Sequence, residues 1–304
     1  EVCRLIKEDK PLEALEYVKN KAPDDVKSVI DKIFTNPREI EKLEGFWRAL
    51  VSLAYLSYVS SFTSEENDNQ SLVSCVVSST NAVKFCNELG IDYLIPKFLR
   101  NAARALILIG MKEEAERTLT EAERIAKDSD ELELARVEND FATLLYDLGR
   151  YEEALDKIEA ALRIRIPQSN NEELAETLVN AGEIYKKVGD FLMSEKCLKE
   201  AEKIYRKLLE TDKSVELDLA MTLSNYGMLQ KMRGNYQAAE KLLLESLELM
   251  EDLEKRDRDF AQFVATGLKH LGDLYREMKE YEKAKKYYEK SKEKFRDFQA
   301  KLEL

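Results

Sequence analysis

Histidine and tryptophan occur once each in this chain, and there are only four cysteines. His270 has no second histidine, and Cys3, Cys75, Cys86 and Cys197 form no C-x-x-C pair, so no zinc-type ligand set can be read from the spacing. Dispersed cysteines predict buried free thiols in a reducing cytoplasm. Asn69-Gln70-Ser71 matches a glycosylation acceptor, which an intracellular protein does not use. There is no apolar run of the length a membrane helix needs. G-x-S-x-G, a glycine-rich phosphate loop and H-E-x-x-H are all missing, so neither a catalytic residue, a metal nor a cofactor is predicted. The net charge of −12 argues against nucleic acid, whose recognition needs a basic footprint. The chain opens on Glu1 without a methionine, as a fragment of a longer protein would.

Charge is abundant instead. Charged residues make up 36 % of the chain beside 44 % hydrophobic ones, which predicts amphipathic helices with solvated outer faces rather than disorder. The excess of Lys and Glu also fits a thermophilic source. Helical periodicity dominates, and no run alternates as a strand does.

The scarce glycines are placed by rule. Gly110, Gly149, Gly189 and Gly234 each precede a small residue by five positions: Ala115, Ala154, Ser194 and Ala239. Gly182, Gly227 and Gly272 recur every 45 residues inside helical stretches, seven residues before a turn. A helix-interior glycine costs roughly 1 kcal/mol relative to alanine. Its recurrence predicts a neighbouring helix too close for a side chain. The first helix of each hairpin ends Ala103–Leu106–Gly110, Ala142–Leu145–Gly149, Gly182–Tyr185–Gly189, Gly227–Gln230–Gly234 and Gly272–Tyr275–Lys279. The second helix then carries Ala115–Leu119–Ala122, Ala154–Ile158–Ala161, Ser194–Leu198–Ala201, Ala239–Leu243–Ser246 and Ala284–Tyr288–Ser291. These i, i+4, i+7 triplets put two small residues and one large one on a single helix face.

Together with turns such as Leu148-Gly149-Arg150-Tyr151-Glu152-Glu153-Ala154, the triplets resemble the tetratricopeptide repeat (TPR) over residues 92–304. The turn spacings of 39, 40, 45 and 45 exceed the usual ~34 and resemble the kinesin-light-chain variety. The resemblance implies an all-α, right-handed α-solenoid superhelix. Five hairpins are expected, at about 92–128, 131–166, 170–211, 215–256 and 260–304, with residues 1–90 as diverged hairpins continuing the superhelix. Ser169 and Glu172 read as a capping box. Pro23 and Pro37 fit first-turn positions, Thr63 to Gln70 reads as a loop, and long helices are expected over 38–61 and 71–89.

In such a stack the first helices line the concave side. The stripe there holds Lys97, Asn101 and Arg104, then Asp140, then Asn180 and Glu183, then Met221, Asn225, Met228 and Met232, then His270. Asn101, Asn180 and Asn225 share one slot, with Asp140 and His270 in the same slot of the other two hairpins. The kinesin-light-chain resemblance implies that these asparagines hold a peptide backbone. Read from the residues alone, their amides serve either a ligand or a neighbouring helix, and the methionines are either groove anchors or inter-repeat core. The last helix carries a heptad-like stripe that includes Phe295, Phe298 and Leu302, a candidate surface for a homodimer.

The function expected is a non-catalytic scaffold, cytoplasmic, that binds a protein or peptide segment in its groove. The second reading is a regulatory or sensor module of a larger signalling ATPase or transcription regulator, which the resemblance also implies. Neither reading involves nucleic acid or membrane.

Overall fold

The computed structural model describes residues 1–61, 69–168 and 171–302, and every regular element among them is a helix. The chain divides into two compact units, Glu1–Arg150 and Tyr151–Leu304.

Unit 1 holds α1 (Val2–Lys7), α2 (Pro11–Lys21), α3 (Asp24–Ile30), α4 (Gly45–Ser61), α5 (Asn69–Leu89), α6 (Ile95–Ile109), α7 (Lys112–Ser129) and α8 (Glu131–Asp147). Its core gathers Ile6, Leu15, Val18, Ile33, Leu53 and Phe98 from five different segments. The helix expected over 38–61 is interrupted. Pro37–Lys42 forms a 3-10 helix, Leu43 is extended and buried, and Gly45 takes a φ of +54°, so α4 starts afresh there. Burying Leu43 requires the chain to leave the helix, and glycine supplies the left-handed step that re-enters it. Pro11 and Pro37 occupy first-turn positions, whereas Pro23 caps α3 from outside. Asn69 and Gln70, expected in a loop, open α5; residues 62–68 lie outside the described ones.

Unit 2 holds α9 (Tyr151–Arg165), α10 (Glu172–Val188), α11 (Phe191–Leu209), α12 (Glu216–Met232), α13 (Tyr236–Arg256), α14 (Ala261–Glu277) and α15 (Tyr281–Leu302). Consecutive helices pack as hairpins in two layers. The first helices α10, α12 and α14 approach one another more closely than the second helices do, so their layer is the inside of the unit's curve. Ser169 lies outside the described residues; α10 is capped by Asn171, whose side-chain oxygen accepts the Leu174 N–H at 2.9 Å.

The close approach that the interior glycines demand is present. A Cβ on Gly182 would lie 2.7 Å from Leu198 Cγ, one on Gly227 2.8 Å from Leu243 Cγ, and one on Gly272 2.7 Å from the Tyr288 ring. The large middle residue of each second-helix triplet fills the space that the glycine leaves.

The turns close alike. At Gly234 the N–H of Asn235 reaches back to the Gln230 carbonyl at 2.9 Å, and at Lys279 the N–H of Glu280 reaches Tyr275 in the same way at 2.9 Å. Lys279 therefore adopts a φ of +63°, a conformation that its Cβ disfavours. Replacing it should relieve that strain, partly offset by the greater freedom of glycine in the unfolded chain. Lys279→Gly is expected to stabilise the protein by about 0.5–1 kcal/mol. A urea midpoint that falls instead of rising would mean that the lysine side chain makes up for its backbone.

Candidate functional site

The inner layer of unit 2 presents three parallel stripes. On α12, Met221 and Met232 are 42 % and 54 % exposed, with half-buried Asn225 and Met228 between them. Met228 also packs against the core formed by α13 and α14, so part of this methionine is inter-repeat core. The Asn225 amide has no hydrogen bond to any described residue. Asn180 on α10 is half-buried, and Glu183 beside it pairs with Lys186 at 2.5 Å.

His270 on α14 is tied across to α12: its Nδ1 lies 2.8 Å from Ser224 Oγ. Burial pushes the imidazole down to about 4, helped by Lys269 and Lys231 and opposed by Asp273. It is therefore neutral at physiological pH and too weak a base to activate a hydroxyl there. Ser224 is itself 4 % exposed. The pair resembles a nucleophile and its base in composition, but its geometry joins two helices. Sequence reasoning missed it, because the two partners are 46 residues apart; the 45-residue repeat, which makes residues of neighbouring first helices adjacent, is the signal that could have found it.

Unit 1 departs from expectation. Lys97 is buried, its ammonium donating to the Ile6 carbonyl and the Asp9 carboxylate at the α1–α2 turn. Asn101 is buried against α4, 3.5 Å from Ser60 Oγ. Neither faces an open groove, because the amino-terminal helices pack onto this part of α6. Asp140 lies 3.5 Å from the Arg100 guanidinium and 3.9 Å from that of Arg104; only Arg104 of this group is exposed. Buried Arg100 donates to Glu133 at 2.8 Å, and Arg136 donates to the other oxygen of Glu133 at 3.0 Å. Burial alone would raise the Glu133 carboxyl, but the two guanidinium groups outweigh it and hold it at about 2. This is an interior ion network, and of the stripe residues it draws Asp140 largely out of solvent while Arg104 stays exposed.

On α15, Phe295 is 37 % exposed and Phe298 half-buried, while the side chain of Leu302 lies outside the described residues. No group of His, Cys, Asp and Glu among the described residues could hold a metal ion, and no described helix is long and apolar enough to cross a membrane.

A sequence profile of the tetratricopeptide repeat matches residues 133–207, 173–252 and 218–297, which together span more than half of the chain. No curated protein matches the sequence. Among solved structures, BtubC (BKLC) from P. vanneervenii is similar at a TM-score of 0.64 and 19 % identity, over 75 % of this chain and 92 % of that one. The apo form of RapI is similar at 0.66 and 15 % identity, over 99 % of this chain and 97 % of that one. The kinesin light chain TPR-like repeats of Podosopora anserina are similar at 0.55 and 15 % identity, over 68 % of this chain and 97 % of that one. At these identities the likeness is one of fold: a stack of helical repeats of the kinesin-light-chain type.

Proposed function

Since this chain belongs to the tetratricopeptide repeat family, an architecture whose stacked repeats form binding surfaces for other proteins, we propose that unit 2 is a non-catalytic scaffold that holds an extended segment of a partner across α10, α12 and α14. The observation that carries this reading is Asn225. Its amide lacks a hydrogen bond to the described residues, and it sits between two exposed methionines on the inner layer. An amide offers a donor and an acceptor together, which matches the N–H and C=O of an extended backbone.

Magnitudes divide the work. Each neutral hydrogen bond nets about 0.5–1.5 kcal/mol, whereas micromolar binding needs about 8. Covering a methionine contributes about 1.5–3 kcal/mol, so Met221, Met228 and Met232 supply most of the affinity and Asn225 the register.

Peptides selected from a random display library against the chain provide the test, with affinities read by fluorescence anisotropy. Asn225→Ala is expected to weaken them by about five- to tenfold, the loss of one or two hydrogen bonds, with helicity unchanged. A joint Met221→Ser/Met232→Ser change should weaken them further. Equal affinity for the parent and for both variants would place binding elsewhere.

A further inference from the structure

The α12 stripe begins with an acid. Asp218 precedes Met221 by three residues and Asn225 by seven, so helical spacing puts it at the end of the same face. It is half-buried and in no ion pair with a described residue, and the one hydrogen bond to its carboxylate comes from its own backbone N–H. Glu172 and Glu176 approach from α10, and both raise the hydroxyl of Tyr205, as Asp218 does.

Tyr205 is the second, independent observation. It lies on α11, which packs against both α10 and α12, and only 3 % of its surface is exposed. Its hydroxyl has no hydrogen-bond partner among the described residues, yet it is not sealed from solvent. Burial is the main cause of its raised pKa, followed by Asp218, Glu176 and Glu172. Burial also pushes the Asp218 carboxyl up, the like charge of Glu172 adds to it, and the hydrogen bond from its own backbone N–H opposes it in part. Acids in the first turn of a helix are ordinary, because they complement the helix dipole. Such acids are normally solvated. Asp218 is instead half-buried with the like charge of Glu172 near it, a repulsion that a bound cation would relieve.

The size of the cation follows from the spread of the acids. They do not converge into a metal-binding group. Separated carboxylates around an aromatic side chain suit a larger organic cation with an apolar stem, as lysine and arginine carry.

We propose that Asp218, Glu172 and the Tyr205 hydroxyl form a subsite for a lysine or arginine side chain, so that the segment held by unit 2 is a basic one with apolar residues over the α12 methionines. This rests on the groove reading above and adds the chemistry of its ligand.

The test uses the full chain and immobilised pools of acetylated, amidated heptapeptides. Each pool fixes Lys, Arg, Glu or Ala at one position, and blocked termini remove the backbone charges. At one position the Lys and Arg pools should bind about tenfold more tightly than the Glu pool, the effect of one partly desolvated charge pair. Asp218→Asn should bring that ratio close to one, and so should Glu172→Gln, an exposed site that keeps the test valid if the first variant folds poorly. Glu248→Gln on α13, also exposed, removes the same net charge and should leave the ratio unchanged. Asn225→Ala should weaken all pools alike and preserve the ratio. A ratio near one in the parent, or one untouched by Asp218→Asn and Glu172→Gln, overturns the subsite and leaves the groove standing. If no pool binds better than to an unrelated protein, the groove reading fails, and the subsite with it.

Discussion

Glu133→Gln should destabilise unit 1 by about 3 kcal/mol, the lower end of the range for breaking a buried ion pair. The cost is high because Arg100 is buried, at 7 % exposure, and would keep its charge without its closest partner. Asp140, 3.5 Å from the same guanidinium, compensates in part. An ion pair of similar length on the surface makes the contrast. Arg124 and Glu121 are 2.7 Å apart but 67 % and 49 % exposed, and Arg124→Ala should leave stability nearly unchanged.

The same network sets a pH signature. The folded-state pKa of Glu133 is about 2, below its ordinary value near 4.5. A depressed carboxyl stabilises the fold fully above the unfolded value and loses that contribution as the pH falls through the folded one. Denaturant titrations of the parent should therefore lose stability between about pH 4.5 and 2, and Glu133→Gln should flatten this loss. If the variant and the parent fall in parallel over that window, other carboxylates govern the acid limb. If the variant is as stable as the parent at neutral pH, the network contributes no net stability.

Gly227→Ala has the next largest effect, and its sign is the informative part. On an open helix the change would stabilise by roughly 1 kcal/mol. Here the added methyl would lie 2.8 Å and 2.9 Å from Leu243 and 3.3 Å from the Ala239 carbonyl oxygen. Leu243 is 1 % exposed, and its nearest atom is the branch carbon Cγ, which moves only if the whole side chain shifts. Overpacking of this kind costs about 1–3 kcal/mol and outweighs the helix-propensity gain. Combining Gly227→Ala with Leu243→Ala should cost less than the sum of the two single changes, because Leu243→Ala vacates the space that the added methyl needs. Simple additivity in urea unfolding, or a stabilised single variant, would show that the seam is looser than its distances state.

The glycine seam was legible because it is a local rule repeated. Gly182, Gly227 and Gly272 stand in one slot, and their partners Leu198, Leu243 and Tyr288 lie 16 residues on in the same hairpin. Turn glycines follow the same logic, down to Lys279, which takes the glycine conformation because the surrounding turn imposes it. The α12 stripe was legible for the same reason, and Asp218 could have been added to it from spacing alone. Tyr205 could not, because its place between α10 and α12 depends on how one hairpin stacks on the next.

The fate of Lys97 and Asn101 marks the limit. Their spacing on α6 is that of an exposed stripe, yet Lys97 is bound by Ile6 and Asp9, some 90 residues earlier in the chain. The break before α4 has a partial signal in Gly45, but what forces it is the burial of Leu43 in a core assembled from distant segments. The sequence by itself determined the helices, the hairpins and the close seam within each, since these depend on residues a few turns apart whose side chains share a face. Only the tertiary structure decided which stripe stays open and which is covered, because covering depends on contacts between segments that periodicity does not relate.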